Sequence, residues 1–240
     1  MSRCSIALAA LLGAILATGA DAAPANVWKF DNLDRIGGLK PRIEGRPKLV
    51  DGPLGKAVQF DGKDSALFFD DRPLVGARAF TIEGIFRPEG GAFEQRWMHI
   101  AETDPATGKD TSQTSTGGKD ANPRYMFEIR VKDNNWYLDG FVQSKAGSQA
   151  LIDPAKLHPV GPWYAVAQTY DGKMYRTYVN GELQAEAPVG YTPHGPGHVM
   201  IGVRMNHVNY FHGAVAELRF SDFARKPGEM LKVPVSASGR

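Results

Sequence analysis

The 240-residue chain sets 28 Lys and Arg against 26 Asp and Glu, a net charge of +2. It therefore lacks the broad positive field that draws nucleic acid or an anionic membrane. With 27 Gly and 16 Pro beside 12 Phe, 8 Tyr and 4 Trp, the composition suits aromatic strands broken by turns better than helices.

The first 22 residues read as a signal peptide. Arg3 gives the positive start, Ile6 to Leu16 is an apolar run interrupted by Gly13, and Ala20-Asp21-Ala22 places small residues where a signal peptidase cuts. The run is too short for a membrane span. Cleavage would remove Cys4, the one cysteine, so the mature chain would have no cysteine nucleophile, cysteine zinc site or disulfide. The expectation is an exported protein, periplasmic or extracellular, with no membrane span after signal removal.

Beyond the signal the dominant pattern alternates with period two. In Phe80 to Phe86, Phe80, Ile82 and Phe86 share one face while Thr81 and Glu83 take the other. A strand over Arg96 to Ala101 precedes the polar stretch Thr107 to Asn122, which reads as a binding loop or a disordered segment. Tyr125, Phe127, Ile129 and Val131 then alternate with Arg124, Met126, Glu128 and Arg130. Lys132 to Asn135 breaks the run and Trp136 to Gln143 resumes it, which predicts a hairpin. Asp153 to Leu157 could form one helical turn, with Asp as cap and Pro at the first position.

Trp163 to Tyr170, Met174 to Val179 and Glu182 to Ala187 are strand-like runs joined by Asp171-Gly172 and Asn180-Gly181, turn dipeptides that tolerate positive φ. They predict three successive antiparallel strands. His198 to Met205 and Phe211 to Phe220 read as a last pair, with room for a bulge where Val215 and Leu218 break the alternation. No repeat or second composition block divides the chain. The predicted organisation is one domain over 27–231 and a C-terminal tail, 232–240.

Five segments, Trp28-Lys29-Phe30-Asp31, Gly55 to Gly62, Phe80 to Pro88, Tyr170-Asp171-Gly172-Lys173 running to Tyr178-Val179-Asn180-Gly181, and Phe211 to Phe220, resemble in order and spacing the concanavalin A-like lectin/glucanase superfamily. The nearest branch is the laminin G-like jelly roll. The resemblance implies an all-β fold, a two-sheet antiparallel jelly-roll sandwich with one convex and one concave sheet, the latter often used for saccharides. Lectins, adhesion domains, glycoside hydrolases and polysaccharide lyases share this scaffold, so the fold alone does not choose among them.

Sugars present apolar C–H faces and a rim of hydroxyls, which aromatic rings and fixed amide, guanidinium and carboxylate groups recognise. If Phe127, Ile129, Thr177 and Val179 face the core, then Glu128, Arg130, Arg176 and Tyr178 point outward as a polar floor, which Gln143 and Gln168 could join, with His207 and Tyr210 at its edge. The opposing reading is an ordinary solvated sheet face. His194 and His198 are four apart, but the intervening Pro-Gly run excludes a regular helix, so no zinc site is assigned. Several relatives hold a structural calcium, and Asp31 and Asp61 stand in the matching motifs, but Ala216-Glu217 replaces their Asp-Glu. Calcium is left open, with no cofactor and no metal residue assigned.

Glucanases of this fold carry Glu-x-Asp-x-Glu or Glu-x-Asp-x-x-Glu on one strand, and the chain has no such run. Glu182, Gln184 and Glu186 come nearest, with Gln in the middle. A lyase would need a Tyr or His base beside Arg or Gln, types that Arg130, Gln143, Arg176 and His207 supply without a recognised motif. The sequence reading is a lectin-like module that binds carbohydrate or a glycosylated surface without catalysis. The alternatives are a polysaccharide lyase or glycoside hydrolase, or a protein-binding adhesion domain.

Overall fold

The computed structural model describes residues 26–103 and 123–235. The segment read as a signal and the stretch Thr107 to Asn122 lie outside them. In chain order the first strands are β1 (Asn26–Lys29), β2 (Arg42–Glu44), β3 (Lys48–Gly52), β4 (Gly55–Asp61), β5 (Ala66–Phe69), β6 (Phe80–Pro88) and β7 (Glu94–Glu102). Next come β8 (Arg124–Lys132), β9 (Asn135–Ser144), β10 (Gly147–Ile152), β11 (His158–Pro159) and β12 (Tyr164–Tyr170). The last are β13 (Met174–Val179), β14 (Glu182–Pro188), β15 (Gly197–Ile201) and β16 (His212–Ser221). They form two eight-stranded antiparallel sheets packed as a sandwich. The first runs β14-β13-β12-β6-β16-β4-β3 with β1 also on β16, and the second runs β10-β9-β8-β7-β15-β5-β2 with β11 also on β9.

Turn chemistry sets the hairpins as expected. Asp133 and Asn134 adopt φ of 50° and 57° between β8 and β9, and Asn180 and Gly181 adopt 51° and 81° between β13 and β14. Both pairs have the positive φ that matches the twist of the flanking strands. Asp171 Oδ1 accepts from the backbone N–H groups of Lys173 and Met174, closing the β12–β13 turn. At Asp153 the chain makes only a turn, with Lys156 N–H donating to the Asp153 carbonyl. Leu157 is exposed, so no apolar face draws the segment into a helix.

The predicted pairing of the last two runs is not formed. β15 lies between β7 and β5 in the second sheet, whereas β16 lies in the first between β6 and β4. Both strands bury apolar side chains between the sheets, and alternation cannot distinguish two strands side by side from two facing each other across a core. The segment between them crosses over, held where Gly202 N–H donates to the Trp97 carbonyl and Phe211 N–H to the Gly202 carbonyl. The bulge expected in the last run is present, as a register shift between Val215 and Glu217.

Aromatic rings join the sheets. Trp97 on β7 stacks on Phe127 of the same sheet, centroids 4.8 Å apart, and on Phe86 of the opposite sheet at 4.9 Å. Trp136 meets Phe86 edge-on at 5.0 Å. Gly84 makes room for this stack, since a Cβ there would lie 2.6 Å from Trp97 Cη2. A second bulge, between Arg96 and Met98, turns both Trp97 and Met98 inward and leaves Arg96 outward.

The outer faces of the two sheets differ. That of the first carries small residues, Ala57, Ala165, Ala167, Ala214 and Ala216, over which Met230, Leu231 and Val233 lie. A clasp fixes this segment: Arg219 donates two bonds to the fully buried Glu83 carboxylate, at 2.6 and 2.7 Å, and Leu231 N–H donates a third at 2.7 Å. The outer face of the second sheet carries the polar cleft described next.

Candidate functional site

Alternation along three neighbouring strands builds the cleft. β8 sends Arg124, Met126, Glu128 and Arg130 outward, β9 sends Asp139, Phe141 and Gln143, and β10 sends Ser148, Ala150 and Ile152. Arg96 enters from β7 through its bulge, and Arg204 from the segment after β15. The cleft is open to solvent and holds about 470 Å³.

The register pairs Glu128 with Asp139 across β8 and β9, and Glu128 with Arg96 across β7 and β8. Arg96 Nε donates to Glu128, and its Nη2 lies 3.1 Å from Glu94. Arg130 is ringed by acids: it contacts Glu94, donates to Asp139 at 2.5 Å and lies 3.6 Å from Glu128. Glu128 is buried, and burial with the adjoining Asp139 charge raises its carboxyl to about 7 against the pull of Arg96 and Arg130. Glu94, at the rim, is held down at about 2 by bonds from Arg130 and Asn209, which outweigh its desolvation.

The opposite end is cationic. Burial, then the charge of Arg204, lowers Arg124 to about 10, and its guanidinium lies 4.9 Å from the Phe141 ring centroid. Burial and the charge of Arg96 lower Arg204 as well. Beneath them His99 is fully buried. Its Nδ1 accepts from Met205 N–H at 3.0 Å, so its Nε2 carries the proton. Burial, then the charges of Arg124, Arg204 and Arg96, keep it neutral. Under the floor, Tyr175 donates to Gln168 at 2.9 Å and Gln168 donates to the Met126 carbonyl at 2.6 Å, which pins the second sheet to the first.

Of the expected site residues, Glu128, Arg130 and Gln143 lie in this cleft. Arg176 and Tyr178 do not, because β13 belongs to the first sheet and faces the other side of the molecule. Arg176 is engaged by Asp171 at 2.5 Å and Glu186 at 2.7 Å, and Tyr178 is packed with Met230. Gln168 points into the core. His207 borders a separate cleft with Arg42, Phe68 and His198, its Nε2 3.1 Å from Glu44. The expectation of one floor shared by β8 and β13 is therefore corrected: on these two strands the side chains alternate as read, but the strands belong to opposite sheets and face opposite ways.

Arg124, Asp139, Phe141, Arg96 and Arg204 complete the cleft. Arg124 has the parity of Glu128 and Arg130, and Asp139 and Phe141 that of Gln143, so alternation already contained them. Arg96 was concealed by the bulge, and Arg204, outside any strand, has no periodic signal.

Of the two acids in the calcium-associated motifs, Asp31 accepts from the Asn32 side-chain amide and Asp61 closes a turn. Asp61 Oδ1 accepts from the N–H groups of Lys63, Asp64 and Ser65, which holds its carboxyl far below the usual range. Among the described residues no group of three His, Cys, Asp or Glu side chains is placed to hold a metal ion.

A laminin G family model, described as the concanavalin A-like lectin/glucanases superfamily, matches residues 61–230. The chain belongs to the concanavalin A-like lectin/glucanase superfamily. No curated protein matches it. Solved structures similar to this superfamily member include domain 4 of AbnA, a GH43 extracellular arabinanase from Geobacillus stearothermophilus, in complex with arabinotriose. That likeness has 19% identity, covers 85% of this chain and 94% of the other, and has a TM-score of 0.53. Trypanosoma rangeli sialidase in complex with 2,3-difluorosialic acid is similar at 12% identity over 85% of this chain and 31% of the other, TM-score 0.55. The binding domain of botulinum neurotoxin DC in complex with SialylT follows at 13% identity over 85% and 49%, TM-score 0.52. This superfamily member therefore spans nearly all of the arabinanase domain but under a third of the sialidase. The likenesses establish a shared fold, and these neighbours were solved with carbohydrate ligands.

Proposed function

We propose that the chain is an exported carbohydrate-binding module whose ligand lies across the outer face of β7 to β10. The observation that carries this reading is the cleft itself. Guanidinium groups, the Gln143 amide and the Phe141 ring converge on one rigid sheet surface, the mixture a sugar's hydroxyls and C–H faces require. The arabinotriose complex of a similar domain supports it. Export rests on the signal-like first 22 residues, and N-terminal sequencing of secreted protein should begin at Ala23.

A glycan array on the mature protein, followed by calorimetry on the best ligand, tests the binding. Arg130→Ala and Gln143→Ala should weaken it, whereas Arg176→Ala on the opposite face should not. Equal affinity in all three variants would remove the cleft from the proposal.

Glu128 favours a second reading. A carboxyl raised to about 7 by burial and its neighbour Asp139 has the character of a general acid. Incubation with polysaccharides while following new reducing ends and unsaturated products decides between binding and turnover.

A further inference from the structure

The cleft is chemically lopsided. At one end Arg130 is surrounded by Glu94, Glu128 and Asp139. At the other lie Arg124 and Arg204, with Arg96 between the two ends: it is bonded to Glu128 and Glu94, and its charge lowers both Arg124 and Arg204, while the charge of Arg204 also lowers Arg124. Arg96 Nη1 and Arg204 Nε are buried there without a hydrogen-bond partner, and so is the Nε2 of His99 beneath them. Buried N–H groups in folded proteins are almost always satisfied, so three orphan donors among mutually repelling cations call for an acceptor that is not part of the protein. His99, neutral and with Nδ1 already occupied, offers only a donor on that side.

Resting on the carbohydrate reading, we infer that the ligand is an acidic glycan, with a sugar carboxylate seated among Arg96, Arg124 and Arg204. A carboxylate only accepts, carries the charge that relieves the repulsion, and matches the planar fork of a guanidinium. A neutral hydroxyl would satisfy a donor but leave the repulsion in place. The acids around Arg130 would then meet the hydroxyl-bearing remainder of the chain, which gives the bound oligosaccharide a direction.

The carboxylate could belong to a hexuronate within a polymer or to a terminal sialic acid, and the test separates these sources. Calorimetry on the mature protein uses galacturonate oligomers, the same oligomers after carboxyl reduction, sialyllactose, lactose and a sulfated oligosaccharide. One acidic probe should bind at least about tenfold more tightly than its neutral counterpart, the range expected for a charged hydrogen bond. The preference should weaken with added salt. Arg204→Ala, with Arg204→Gln as a milder second variant, should weaken the acidic probe more than its neutral counterpart and so shrink the preference to within about twofold, and Arg176→Ala should keep it. Equal affinity for acidic and neutral counterparts would overturn the inference and spare the carbohydrate reading. Preference for the sulfated probe alone would overturn the carboxylate assignment. Binding of none of the sugars on these probes or the array would overturn both.

Discussion

Glu128→Gln gives the sharpest test of the electrostatics of the cleft. A glutamate in the unfolded chain titrates near 4.5 and Glu128 in the folded protein at about 7. Each tenfold change in proton affinity corresponds to about 1.4 kcal/mol, so ionising this carboxyl in the folded state costs about 3 kcal/mol. The sign follows from the raised value. Below pH 4.5 the group is protonated in both states and the cost is absent; it grows as pH rises and is complete above pH 7. The groups around it are Arg96 from β7, Arg130 from its own strand and Asp139 from β9, with Arg124 and Arg204 further along the cleft. The amide carries no proton to lose, so the variant should lack this decline. Urea unfolding of both proteins between pH 4.5 and 8 measures it. The variant's stability relative to the native protein should rise by about 3 kcal/mol over that range. Asp61 and Asp171, held below the usual range by turn hydrogen bonds, lose their contribution in acid in both proteins and cancel in the difference. A difference that does not change with pH would refute the assignment of Glu128 as a group raised by burial and Asp139.

Two further outcomes follow from the packing. Arg219→Ala would leave the Glu83 carboxylate buried without its two guanidinium bonds and should cost about 3–5 kcal/mol in urea unfolding; a loss below about 1 kcal/mol would mean the clasp is solvated. Trp97→Ala removes the ring shared by Phe86 and Phe127 and should cost about 3–5 kcal/mol, with Trp97→Phe milder.

Most of the architecture could be read in the sequence because its physics is local. The parity of Phe127 against Glu128 assigns each side chain to the core or the outside, and Asn180-Gly181 needs only its own backbone freedom to make a turn. Partnership between strands is not local. β8 and β13 show the same alternation, so nothing in either run says that they lie in opposite sheets, and alternation alone groups Arg176 and Tyr178 with Arg130. The same gap separates β15 from β16. Arg96 depends on a bulge that leaves no mark in the pattern, and Arg204 is brought to the cleft by a crossover whose path is set by the Trp97, Gly202 and Phe211 backbone bonds.

The alanine-floored face of the first sheet has a consequence for valency. Met230, Leu231 and Val233 lie over that alanine floor, so the strands β6, β12 and β16 do not present there a counterpart of the arginine-lined cleft. Under the proposed reading, the arginine-lined cleft of one copy holds one glycan, and agglutination of glycan-coated particles through that cleft would require copies of this protein to be joined.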